Sequence, residues 1–221
     1  MTLRAVACVA ALALAAPVLA DEAPYEVEGE PFAGYFAGAE AEPRGLVVIV
    51  QDWDGLTDYE KRRADMLAEM GYDAFAVDMF GEGIRPETVD HRRALTGALY
   101  RDRERMRTLL AAGLDQARAL SDADRIVAMG YCFGGAVALE LARSGPAEDV
   151  VGVASFHGGL GTPEGQRWSA DTPPLLILHG AADAAVTMAD VTTLVGELEA
   201  AGATYTVEIY SGAPHAFTVF G

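Results

Sequence analysis

The sequence predicts one α/β domain built on a doubly wound, mostly parallel sheet. Three observations carry that prediction. Short continuous aliphatic runs such as Gly45–Gln51 (GLVVIVQ) and Asp73–Asp78 (DAFAVD) have the length and uniform apolarity of strands buried on both faces. Segments of helical spacing alternate with them, the pattern of parallel strands joined by crossover helices. The chain has 221 residues, 51% apolar and 22% charged, which is enough for one well-covered core and far too apolar for a disordered chain.

In chain order, Met1–Ala20 (MTLRAVACVAALALAAPVLA) comes first, with one charge, Arg4, then an apolar run through Ala16 and a break at Pro17. Val18-Leu19-Ala20 fits the small-residue rule for cleavage before Asp21, and the run is short for a membrane span, so this reads as a secretory signal peptide. Residues 21–221 are then the single domain, expected outside the cytoplasm, in the periplasm, with no membrane contact once the leader is cut. Losing the leader removes one cation from 16 Lys+Arg and nothing from 33 Asp+Glu, taking the net charge from −17 to −18. That balance argues against nucleic acid or an anionic membrane as a partner. Of two cysteines, Cys132 alone remains, so it is either buried and inert or present for its chemistry.

Tyr25–Gly38 alternates as one or two opening antiparallel strands, and Gly45–Gln51 is the first buried strand. Asp58–Met70 has helical spacing with Gly71 as its stop, and Asp73–Asp78 is the next buried strand. Met79–Glu87 contains Gly and Pro breakers and reads as loop. Tyr100–Leu120 reads as one long amphipathic helix, with Met106, Leu109, Leu110, Leu114 and Ala117 on one side. Arg125–Gly130, Val150–Phe156, Leu175–His179 and Thr204–Tyr210 are strands, with helices over Phe133–Arg143 and Met188–Ala200 between them.

Ligands in such sheets sit beyond the carboxyl ends of the strands. Gly130-Tyr131-Cys132-Phe133-Gly134-Gly135 follows a strand and opens a helix, the form of a nucleophile elbow with Cys in place of the commoner Ser. A thiol there faces the positive end of a helix dipole, which predicts a lowered pKa. The elbow calls for an acid and then a histidine, each after a later strand. Asp183 stands four residues past the strand ending at His179, and His215 stands five past the last strand. Taken singly, Asp183 would be a turn or cap residue and His215 a surface residue. The order Cys132, Asp183, His215 is the hydrolase order.

Together, Gln51-Asp52, Asp78-Met79-Phe80-Gly81, the Gly130–Gly135 block, His179-Gly180-x-x-Asp183 and Pro214-His215-Ala216-Phe217 resemble the dienelactone hydrolase family, over about Gly45 to Phe220. The resemblance implies an α/β-hydrolase fold with a Cys-His-Asp triad, cleaving an ester or enol-lactone through an acyl-cysteine intermediate. The backbone N–H of Phe133 would be one oxyanion donor and that of Trp53 the second. The resemblance also implies that Asp52 touches the resting nucleophile and helps deprotonate it, one methylene shorter than the family's usual Glu. Type members of the family place an Arg after the strand-ending Asp-aromatic segment to hold the substrate carboxylate. This chain has Glu82 in that stretch, with Arg85 the nearby substitute. Relatives continue into a closing helix, whereas this sequence ends six residues past His215, which predicts a fold without it.

His157, ending a strand beside the site, is a candidate pocket residue, and His91 sits among Arg92 and Arg93 on a solvated face or lid. No His/Asp/Glu set has metal spacing and no glycine-rich phosphate loop is present, so no metal or cofactor is expected. The partner expected is a small-molecule ester or lactone; nothing in the sequence specifies an oligomeric state. A thioesterase or general carboxylesterase would use the same triad. A non-catalytic periplasmic ligand-binding or thiol-sensing protein is the reading from another class.

Overall fold

The computed structural model describes residues 20–145 and 148–220. The predicted leader therefore lies outside the described residues except for Ala20, which is the first residue of strand β1. β1 (Ala20–Val27) and β2 (Glu30–Ala37) pair antiparallel through a tight turn in which Glu28 (φ 54) and Gly29 (φ 85) are both left-handed. That backbone is the two-residue hairpin turn whose twist matches its flanking strands.

β3 (Leu46–Val50) and β4 (Asp73–Val77) are buried at every position, as uninterrupted apolar runs require. Helix α1 (Asp58–Glu69) between them starts with a capping box: Thr57 caps the first turn, and the Glu60 carboxylate accepts the Thr57 N–H at 2.8 Å. The remaining elements are α2 (Val89–Arg101), α3 (Arg103–Leu120), β5 (Ile126–Tyr131), α4 (Phe133–Arg143), β6 (Val150–Phe156), β7 (Leu175–Gly180), α5 (Met188–Ala201) and β8 (Tyr205–Tyr210).

The strands form one sheet in the order β1-β2-β4-β3-β5-β6-β7-β8, parallel from β4 to β8 with β1 and β2 antiparallel at one edge. From β3 the chain runs outward to β4 on one side and then to β5 on the other. The carboxyl ends of β3 and β5 therefore lie side by side where the winding reverses, which is where open α/β sheets place ligands. Alternate residues of β3 divide between two cores, Leu46, Val48 and Val50 facing α3 and α4, and Val47 and Ile49 facing α1. After β8, residues 211–220 run as turns; no helix follows β8 among the described residues, matching the expectation for the closing helix.

One predicted element differs. The helix read as Tyr100–Leu120 is two helices, because Asp102 (ψ 81) leaves the helical region and caps α3 through its carboxylate on the Arg105 N–H. The Met106, Leu109, Leu110, Leu114, Ala117 stripe is buried as read. The preceding helix α2 starts at the Thr88 cap and buries only Thr96 and Leu99, so it carries no long apolar stripe to mark it in the sequence.

Candidate active site

Cys132 sits between β5 and α4 with φ 49 and ψ −109, backbone that a side chain adopts only under constraint. The constraint is close packing. A Cβ on Gly134 would stand 2.2 Å from the Val50 carbonyl oxygen, and one on Gly130 would stand 2.2 Å from the Gly134 carbonyl, so only glycine lets α4 press onto β3 and β5. Phe133 to Ala142 are all buried, so α4 is a core helix that holds the elbow rigidly.

Asp183, in the turn after β7, is fixed by two backbone amides that its Oδ1 accepts, Ala185 at 2.8 Å and Val186 at 3.0 Å. Its Oδ2 lies 2.7 Å from His215 Nδ1, and His215 Nε2 lies 3.1 Å from Cys132 Sγ. The structure thus brings the three predicted residues together in a line. Burial opposes ionisation of Asp183, but the Val186 amide, the His215 ring and the Ala185 amide together hold it below the usual carboxylate range.

The thiol differs from expectation. The helix dipole alone predicts a lowered pKa; instead burial, and after it the charge of Asp52, pushes the Cys132 thiol well above its ordinary value. The Phe133 N–H, directed at the sulfur, works the other way and loses. Asp52 is beside Cys132 as predicted, and burial in turn raises its own pKa. Its Oδ1 also accepts the Trp53 N–H at 2.5 Å, so that amide is occupied by the neighbouring carboxylate. Glu60, the buried capping-box acid of α1, accepts the Asp52 N–H at 3.3 Å and so fixes this loop. Sequence reasoning missed Glu60, although Thr57-x-x-Glu60 is a legible capping box.

Asp52, Cys132 and His215 floor a cavity of about 400 Å³. Asp52 and Trp53 line it from the loop after β3, Cys132 and Phe133 from the elbow, Gly159, Ala185, Val186, His215 and Ala216 from the loops after later strands. Thr96 and Tyr100, one turn apart on α2, close the remaining side; they went unpredicted because α2 did. Burial, then the proximity of Cys132, pushes the Tyr100 phenol up to about 12, so it stays an O–H donor.

Two predicted pocket residues do not line this cavity. Arg85 turns away, its guanidinium donating to the Ile84 carbonyl at 2.8 Å. His157 is buried behind the site, its Nδ1 3.2 Å from the Cys132 amide nitrogen and its Nε2 2.8 Å from Thr218 Oγ1. No cluster of metal-ligating side chains occurs among the described residues.

The sequence profile of the dienelactone hydrolase family matches residues 32–220. The chain belongs to the dienelactone hydrolase family. A Salmonella typhimurium protein provisionally named a carboxymethylenebutenolidase is 26% identical over 203 residues, spanning 86% of this chain and 74% of its own. Among solved structures, a dienelactone hydrolase-like promiscuous phosphotriesterase from metagenomic libraries superposes with a TM-score of 0.83 at 30% identity, covering 91% of this chain and 85% of that one. A dienelactone hydrolase of Klebsiella pneumoniae, also provisionally named, superposes at 0.73 with 25% identity, covering 91% and 89%. As a member of this family the protein is an ester hydrolase, which sets aside the non-catalytic binding and thiol-sensing readings.

Proposed function

We propose that this dienelactone hydrolase family member cleaves a small carboxylic ester or lactone through an acyl-cysteine intermediate, with Cys132 as nucleophile, His215 as general base and acid, and Asp183 as its orienting partner. The observation that carries the reading is the His215 ring, 3.1 Å from Cys132 Sγ and 2.7 Å from Asp183 Oδ2, at the floor of the cavity. Asp183 accepts the Nδ1 proton, which leaves the Nε2 lone pair facing the thiol.

The resting sulfur is a neutral thiol, since burial and Asp52 disfavour the thiolate. Proton transfer to His215 Nε2 therefore accompanies attack. As Sγ bonds the carbonyl carbon, the carbonyl π electrons move to oxygen and the S–H proton passes to Nε2. Collapse breaks the ester C–O bond, and Nε2–H protonates the departing alkoxide. Water then gives its proton to Nε2 while its oxygen adds to the thioester carbon. Loss of the sulfur, reprotonated from Nε2, frees the acid. The oxyanion is assigned to the Phe133 and Trp53 amides. Because Asp52 Oδ1 occupies the Trp53 amide, an oxyanion binds there in exchange with that carboxylate.

A thioesterase or general carboxylesterase would use the same steps. The likeness to a promiscuous phosphotriesterase favours testing a second substrate class, an aryl phosphotriester, attacked by the same sulfur at phosphorus. The experiment is hydrolysis of p-nitrophenyl acetate by the purified protein beside Cys132→Ala. Loss of at least ~10³-fold in kcat/KM in the folded variant is expected. Wild-type turnover by that variant would overturn the assignment.

A further inference from the structure

We infer that His157 is a positioning residue that holds the nucleophile and its base in register, one ring nitrogen on each. The inference rests on the reading of Cys132 and His215 given above.

Cys132 and His215 come from separate parts of the chain. The elbow is locked by glycine packing, but His215 lies in the 211–220 segment, which has no helix or strand of its own to place it. His157 joins the two. The single Cys132 amide proton is shared between the Phe156 carbonyl at 3.0 Å and His157 Nδ1 at 3.2 Å. Because Nδ1 accepts, Nε2 carries the ring proton and donates to Thr218 Oγ1 at 2.8 Å, three residues past His215. Thr218 is itself anchored to α1: the Tyr59 hydroxyl donates to its Oγ1 at 2.9 Å and Arg63 Nη2 to its carbonyl at 2.6 Å. The edge of the His157 ring also abuts His215, centroids 5.1 Å apart, and Phe217, 5.3 Å apart.

The ring is 1% exposed and lines no part of the cavity, so it touches no substrate. Its own backbone is left-handed (φ 42), held there by its N–H on the Leu178 carbonyl at 2.9 Å. A non-glycine residue kept in such backbone, using both ring nitrogens on the two halves of one site, sets the 3.1 Å sulfur-to-nitrogen contact. Misplacement by about 1 Å at such a contact costs on the order of 10²-fold in rate.

The test divides the two bonds. In His157→Asn the amide oxygen falls near Nδ1 and keeps the Cys132 bond while losing Thr218. In His157→Gln the amide NH₂ reaches towards Thr218 while the Cys132 bond is lost. Thr218→Val breaks the same link from the far side. With p-nitrophenyl acetate and folded protein, each variant should lose ~10-fold or more in kcat with KM within about twofold. The His157→Asn/Thr218→Val double variant should be no slower than Thr218→Val alone, because the Nε2–Oγ1 bond that His157→Asn removes is already gone in that parent. Alkylation of Cys132 by iodoacetamide should slow in parallel, which a purely structural role would not produce. Wild-type kcat in folded His157→Asn, or losses that multiply in the double variant, would overturn the inference. Turnover that survives Cys132→Ala would instead overturn the underlying assignment, and the two failures are thereby distinguished.

Discussion

Among the described residues four non-glycines have left-handed backbone, and three of them, Cys132, His157 and Ala216, lie at the site. Strain of about 1–3 kcal/mol per residue persists only where the surroundings enforce it. Here glycine packing and the hydrogen bonds of His157 enforce it. Titration follows the same environment. Burial, then the nearby His215, lowers the His157 pKa to about 4 from 6.5, with Asp183 opposing and His179 adding to the effect. Between those values the unfolded chain binds a proton that the native ring refuses. Stability therefore falls as pH drops from 6.5 towards 4, by on the order of 3 kcal/mol at the lower end. Asp52 and Glu60, raised by burial, pull the other way, so the comparison must be with a variant. Denaturant midpoints across this window should fall less steeply for His157→Asn than for wild type; equal slopes would exclude His157 as the source. Cys132, Asp183 and His215 were legible in the sequence because each stands just past a recognisable strand. The direction of the thiol's pKa was not, since it depends on Asp52 being folded against a buried sulfur. The inward turn of His157 was equally hidden, because it depends on Thr218, distant in sequence.

At the scale of elements, the buried strands and the elbow were readable because continuous apolar runs and clustered glycines are local signals. The α2–α3 break was not, because Asp102 interrupts an otherwise helical composition by a capping bond. The missed helix α2 supplies Thr96 and Tyr100, so the unread part of the fold is also the unread wall of the cavity. Packing of α3 against α4 centres on Glu140, 1% exposed, which pairs with Arg107 at 2.6 Å and with Arg103 and Arg143 at 3.4 Å. Gln166 Nε2 adds a fourth bond at 2.7 Å. Removing that charge leaves the buried Arg143 without its counterion, a situation that costs about 3–5 kcal/mol. Glu140→Gln should lower the urea-unfolding free energy by about 3 kcal/mol. A change within about 0.5 kcal/mol, the range of ordinary surface substitutions, would show that the cluster is not stabilising.

For the whole molecule, charge and cavity agree. The chain carries a net −17, the cavity is walled largely by Trp53, Phe133, Val186 and Ala216, and no Arg or Lys is among its lining residues. Arg92 holds its guanidinium 5.4 Å from the Trp53 ring and its Nε on the Pro86 carbonyl, outside that lining. A neutral ester therefore meets less repulsion than one bearing a second, free carboxylate. The kcat/KM for p-nitrophenyl acetate should exceed that for p-nitrophenyl hemisuccinate by roughly 10-fold or more at low salt. The gap should narrow as rising ionic strength shortens the Debye length to ~10 Å and below. Preference for the anionic ester would reveal a cation acting on the site. The doubly wound sheet was legible because it follows from alternating local patterns. The cavity's charge was not, because it depends on which way Arg85 turns.

The central claim is that Cys132 carries the acyl group. The direct measurement is peptide mass analysis of the wild-type protein, acid-quenched rapidly after mixing with excess p-nitrophenyl acetate, since His215 is needed to form the thioester as well as to hydrolyse it. The account predicts an acetyl thioester on the peptide containing Cys132, absent after iodoacetamide pretreatment. Acetylation elsewhere with Cys132 unmodified, or hydrolysis that continues with Cys132 alkylated, would contradict it.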